Sequence, residues 1–147
     1  VQWVQLHHLT PRELASILAT AQTEFPFVSV WRAGGQACLL TSAQPPVFNQ
    51  AIWEKWRWAP ELFDERLITG LGAPAAFTAT QLVPAAALPA LLARTPTVLN
   101  TDRNRWLEFQ TPRYALSRRD HRTENLRWLG GAPPMPTAAS PISNAAR

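Results

Sequence analysis

The sequence predicts an α/β chain: a strand–helix–hairpin unit over residues 1–44, a mainly helical cover over 45–129 and a disordered tail over 130–147. Three observations carry this expectation. Residues 1–6 (VQWVQL) alternate and are rich in Val and Trp, as a half-buried strand requires. Leu14, Ile17, Leu18 and Ala21 recur at i, i+3, i+4, i+7, which gives a helix one apolar face. Two β-rich runs, FVSVWR at 27–32 and QACLLTS at 36–42, flank Ala33-Gly34-Gly35. Two glycines supply the positive φ that a tight hairpin needs.

The helix start is well marked. Thr10 is the candidate N-cap, Pro11 suits the first helical position, and Glu13 completes a capping box. Phe25 precedes Pro26, and a residue before proline is pushed out of the α region, so the helix ends there. The strand–helix–hairpin unit is incomplete by itself, because its sheet edge and helix need further strands to cover them. Those partners are expected upstream of Val1. The missing initiator Met points the same way, to a processed product, an excised domain or a truncated reading frame. Further along, Pro45-Pro46 breaks the sheet pattern. Residues 52–58 read as an aromatic helix and 60–71 as a second helix. Residues 81–94 read as a third helix in which Pro84 sits in the first turn and Pro89 kinks or splits the segment. A last helix is expected near 122–129. The Gly-, Pro-, Ala- and Ser-rich stretch that follows has almost no large apolar side chains.

Composition narrows the classes. The chain has 147 residues, 46% of them hydrophobic and 16% charged, enough for one core and too apolar for wholesale disorder. No apolar run approaches the length of a membrane span, and the N-terminus has no signal-peptide pattern. A single cysteine, Cys38, excludes an internal disulfide framework and a Cys-based zinc site; it reads as a small buried strand residue. The net charge of +4 lies wholly after residue 99, where eight Arg face four acids. Thirteen of the fourteen basic residues are Arg, beside abundant Ala and Pro. That is read as coding bias before function.

Few constellations carry chemistry. His7-His8 would need a third ligand to hold a metal, and reads as a loop or edge pair. Gly34-Gly35 and Gly70-x-Gly72 lack the G-x-x-G of a nucleotide turn. Glu61, Asp64 and Glu65 read as a solvated helix face. Trp53, Trp56 and Trp58 beside Lys55 and Arg57 suit either a stacking platform for single-stranded nucleic acid or aromatic packing; packing is the expectation, and nucleic acid is not the expected partner. The most specific stretch is Leu99-Asn100-Thr101-Asp102-Arg103-Asn104-Arg105-Trp106-Leu107-Glu108-Phe109, then Pro112-Arg113. Asn100 and Asp102 suit a turn bonded to its own backbone. Trp106, Leu107 and Phe109 are expected to anchor it in the core, and Asp102 and Glu108 to pair with Arg103, Arg105 or Arg113. On physical grounds this stretch is a clip that docks the C-terminal part.

These residues also carry a family resemblance. VQWVQL, the capped helix, Phe25-Pro26-x-Val28-Ser29-Val30-Trp31 and the strand ending Leu39-Leu40-Thr41-Ser42 resemble the last third of spermidine synthase-like proteins. The stretch from Leu99 to Arg113 is similar to their LNTDDRPxLEYxxPR segment, most of all in the bacterial branch often fused to membrane transporter-type segments. The resemblance spans roughly residues 1–130. It implies a Rossmann-like, methyltransferase-type fold, of which this chain is the C-terminal portion. It also implies transfer of an aminopropyl group from decarboxylated S-adenosylmethionine to putrescine, a polyamine substrate, with release of methylthioadenosine. In the family the glycine-rich nucleotide turn, the ribose-binding acid and the catalytic Asp lie in the first two-thirds, and no residue here matches them. The expectation is therefore a chain without catalytic residues, inactive alone and binding no cofactor or metal by itself. Gln2 and Trp3 match a Gln-Trp pair near the family's substrate side. Asn100, Asp102, Glu108 and Arg113 match its structural motif. Two departures stand out: Arg103 stands where the motif has its second Asp, and Val98-Leu99 stand where transferases proper carry a tyrosine. Cytoplasmic location follows from the family, with the parent membrane-tethered in the fused branch. Two further expectations are a non-catalytic module whose Trp- and Arg-rich surface meets a protein or nucleic acid, and a homodimer through the uncovered sheet edge.

Overall fold

The fold is built on one four-stranded sheet. It is described from a computed structural model, covering residues 1–62, 73–115 and 119–131. Strand β1 (Gln2–Val4) leads to helix α1 (Pro11–Glu24), then to β2 (Phe27–Ala33) and β3 (Gln36–Ser42). The sheet order is β1-β3-β2-β4, and every neighbouring pair is antiparallel. It follows that β1 and β2 run the same way, joined by the α1 crossover, with the returning β3 between them. The chain is thus mixed α/β, with several helices around an antiparallel sheet.

Local chemistry explains the first elements. The Thr10 hydroxyl accepts from the Glu13 backbone N–H at 3.3 Å, and a Glu13 carboxylate oxygen accepts from the Thr10 N–H at 2.7 Å. The expected capping box is therefore present, and Phe25 ends α1 in extended conformation as Pro26 demands. Ala33 pairs with Gln36 across a two-residue turn. Gly34, the first of the two, has φ +59°, the left-handed region that glycine occupies without strain.

Beyond the hairpin come α2 (Gln50–Arg57), a 3-10 turn (Pro60–Leu62), α3 (Pro74–Thr78) and the short strand β4 (Gln81–Val83). A second 3-10 turn (Ala85–Ala87), α4 (Leu88–Leu92), α5 (Trp106–Ala115) and α6 (Arg122–Gly130) follow. The expected helices at 52–58 and 122–129 are present as α2 and α6. Of the helix expected over 60–71, only the 3-10 turn lies within the described residues. The tail beyond residue 131 lies outside them.

The single helix expected over 81–94 is corrected to a strand, a 3-10 turn and a short helix. Pro84 holds an extended φ of −64° and ψ of 150° and biases Val83 before it to β, so residues 81–83 join the β2 edge instead. Val83 pairs with Val30. Pro89 then lies in the first turn of α4, where its missing N–H is harmless; it starts a helix and does not kink one. Helix α5 was not expected at all. Pro112 sits inside it and withholds an N–H from the helical ladder, which masks the helical signal.

One face of the sheet carries the core. Val4, Val28, Val30, Ala37, Leu39 and Val83 meet Leu14 and Leu18 of α1, Leu88 and Leu91 of α4, and Leu129 of α6. Each of these large side chains is worth about 1.5–3 kcal/mol when fully buried. The segment after residue 44 therefore completes the same core as the hairpin unit, through β4, α4 and α6. The other face carries Phe27, Ser29, Trp31, Cys38 and Leu40 in alternation; Cys38 is half-buried there, directly across from both Trp3 and Trp31.

Candidate functional site

Three places bring chemistry together, and two of them contain residues expected from the sequence. The first is the clip. Val98 donates its N–H to the Ser16 hydroxyl at 3.0 Å, and Asn100 donates to the Thr20 hydroxyl at 2.8 Å. Ser16 and Thr20 are one helical turn apart on α1, so their hydroxyls accept from alternate residues of an extended segment. The Asn100 side-chain oxygen then accepts from the Leu107 N–H at 2.8 Å, at the start of α5. The start of the stretch is thereby held against α1 by two backbone N–H groups.

The internal details differ from expectation. Asn104 closes the turn in place of Asp102: its side-chain oxygen accepts from the Thr101 and Trp106 N–H groups, both at 3.1 Å, and its amide donates to the Leu99 carbonyl at 2.7 Å. An amide both donates and accepts, which one ionised carboxylate cannot do. Arg105 takes φ 43° to complete the turn. Trp106 and Leu107 are half-buried, with the Arg12 guanidinium 5.5 Å over the Trp106 ring. Phe109 is 65% exposed and anchors nothing in the core. Among the described residues no ion pair joins Asp102 or Glu108 to Arg103 or Arg105; the Arg113 side chain lies outside them.

The second place is the open side of β1. Gln2 and Asn100, far apart in sequence, line one concavity of about 380 Å³ with Thr20, Thr41, Ile17 and Leu107. Gln2 also borders a neighbouring hollow with Trp3 and His8. Both Gln2 and Trp3 are exposed, and the Gln2 amide donates to the Trp3 carbonyl at 3.0 Å. Among the described residues no carboxylate lines either hollow. A sulfonium or a polyamine ammonium would find no counter-charge there, so the lining does not fit decarboxylated S-adenosylmethionine or putrescine, and no chemical step is derived for it.

The third place, missed by sequence reasoning, is an apolar cleft of about 630 Å³ on the second sheet face. Trp31 stacks on Phe77 of α3 at 4.8 Å, and Phe27, Leu40, Phe48 and Pro84 complete its walls. The Trp31 indole N–H donates to the Ser29 hydroxyl at 2.8 Å. No titratable side chain lines the cleft among the described residues; it can hold an apolar ring but offers no acid or base. Alternation in β2 was the available signal, and Phe77 could not be assigned to it from sequence.

The remaining candidates resolve into structure. His7 Nδ1 accepts from the Gln36 amide at 2.9 Å, since an amide nitrogen only donates. The same Gln36 accepts from the Leu6 N–H at 2.7 Å, so the pair fixes the β1–α1 loop. Among the described residues no three His, Cys, Asp or Glu side chains gather as a metal would require. Trp53 is buried against Phe48, Trp56 and Phe77, whereas Trp58 points to water. The three tryptophans thus form no common stacking platform. Among the described residues no helix is long and apolar enough to cross a membrane. Compared with known proteins, the chain matches no family model, no curated protein and no solved structure.

Proposed function

We propose that the chain is the C-terminal portion of a spermidine synthase-like aminopropyltransferase with a Rossmann-like fold, and that it does not catalyse the transfer alone. The observation that carries the reading is the meeting of the two stretches that resemble the family. Residues 1–42 and 99–113 are distant in sequence, yet Asn100 bonds Thr20 of α1 at 2.8 Å and shares a hollow with Gln2. A β–α–β crossover with a returning strand inserted, and with β1 at an open edge, is also what the distal part of a larger sheet requires.

In the family reaction an amine nitrogen of putrescine attacks the aminopropyl carbon beside the sulfonium. The carbon–sulfur bond breaks, methylthioadenosine leaves, and a carboxylate takes the amine proton. This chain's contribution would be support: α1 and the clip brace the β1 edge of the sheet. Two measurements test the reading. Purified chain with decarboxylated S-adenosylmethionine and putrescine should release no methylthioadenosine above blank; turnover would overturn the inactivity. The coding sequence upstream of Val1, read in frame, should encode a strand followed by a glycine-rich turn; a stop codon there would overturn the assignment itself.

The second reading, a non-catalytic binding module, is favoured by the exposed Trp58 beside Arg57 and Lys55. Salt-dependent binding of single-stranded DNA would support its nucleic-acid form, because phosphate contacts release counterions. Absence of binding at low salt would remove that form.

A further inference from the structure

We propose that the loop and helix over residues 47–58 bind an anionic lipid surface. Val47, Phe48, Ile52 and Trp58 are 85%, 46%, 66% and 73% exposed. Exposed apolar side chains scattered singly are ordinary, but Val47, Phe48 and Ile52 border one hollow, and apolar side chains gathered in this way mark an interaction site. The cluster is held on a firm base. The Asn49 side chain caps α2, accepting from the Ile52 N–H at 3.1 Å. Trp53, the next residue along the helix, is buried against Phe48 at 5.7 Å and Trp56 at 4.7 Å. With Trp53 turned inward, the helix turn that carries Ile52 faces water.

The charges on this segment match an anionic surface. Lys55 and Arg57 are exposed in the last turn of α2. Glu54, the one acid between residues 47 and 58, accepts from the Gln50 amide at 2.6 Å. The Arg57 guanidinium lies 5.2 Å over the Trp58 ring, which holds cation and indole together at one level. Exposed apolar and aromatic side chains beside basic ones, on a short helix of low overall hydrophobicity, are the composition of helices that lie in the headgroup region. Tryptophan favours that depth because its ring is apolar and its N–H polar. A nucleic-acid strand would need several rings presented together, and Trp53 is withdrawn. A protein partner usually receives anchors into pockets, whereas Val47 and Trp58 stand almost fully in water. The inference does not depend on the transferase assignment.

The test uses the full chain with vesicles of phosphatidylcholine alone or mixed with phosphatidylglycerol, followed by tryptophan emission and co-sedimentation. Association with the phosphatidylglycerol vesicles, with a blue shift, is expected, and little with phosphatidylcholine alone. Lys55→Gln and Arg57→Gln should each weaken partitioning about fivefold, since a basic residue near an anionic surface contributes about 1 kcal/mol. Ile52→Glu or Trp58→Glu should abolish it while far-ultraviolet circular dichroism stays unchanged, because both side chains lie outside the core. Trp58→Phe should retain binding and lose most of the quenching by brominated lipid. Failure to bind either vesicle overturns the proposal. So does equal binding to both. Binding that survives Ile52→Glu also overturns it, because the contact would then lie elsewhere on the chain.

Discussion

Single side chains do much of the joining in this molecule. Asn125, fully buried on α6, donates both amide hydrogens, to the Leu6 carbonyl at 2.7 Å and the Leu9 carbonyl at 2.6 Å. Asn125→Ala removes both donors and leaves two carbonyls unserved in the interior. An unfolding loss of about 3 kcal/mol is expected, read from the denaturation midpoint. Asn104→Ala should cost less, about 1 kcal/mol, because its partners lie in an exposed turn. Limited proteolysis near residue 102 should also accelerate in that variant. Legibility at this scale was uneven. The Thr10–Glu13 capping box follows from spacing alone, because both partners lie within one turn. The choice of Asn104 over Asp102, and the use of Asn125, rest on which carbonyls and N–H groups the folded chain brings near. Spacing does not encode that.

Elements show the same division. The hairpin and α1 could be read because their signals are local: Gly34 at the turn, Pro26 after the helix, apolar alternation in between. β4 could not, because three residues make a strand only when an edge is waiting for them. Val83 and Leu88 then tie that edge to α4 inside the core. Leu88→Ala should destabilise by about 3 kcal/mol through lost burial and a residual cavity, measured by urea unfolding. Ser16→Ala acts differently. It leaves the core intact but removes the acceptor for the Val98 N–H. A loss of about 1 kcal/mol is expected, with faster amide exchange confined to residues 98–107. Uniformly faster exchange would show that the clip has no docking role of its own. The helix α5 was hidden by Pro112, so the signal that remained was its cap, Asn100 seven residues before Leu107, and that pairing is formed by the bend between them.

At the scale of the whole molecule, the unit read as strand–helix–hairpin and the helical cover read as a separate region share one core. Deleting residues 121–147 should therefore abolish cooperative unfolding altogether; a truncated chain that still melts in a single transition would refute this. The candidate site was legible only as a set of residues. That Gln2 and Asn100 meet follows from α1 carrying the clip back across the sheet, a relation that no stretch of sequence contains. The Asn125 bridge has one more consequence, for synthesis. It joins residues more than a hundred positions apart, so the Leu6 and Leu9 carbonyls acquire this partner only once α6 has left the ribosome. Contacts of such long sequence separation form slowly. The nascent chain must therefore carry the apolar faces of α1 and the sheet unsealed until α6 emerges, and the rate-limiting event in folding should be the arrival of its last described helix.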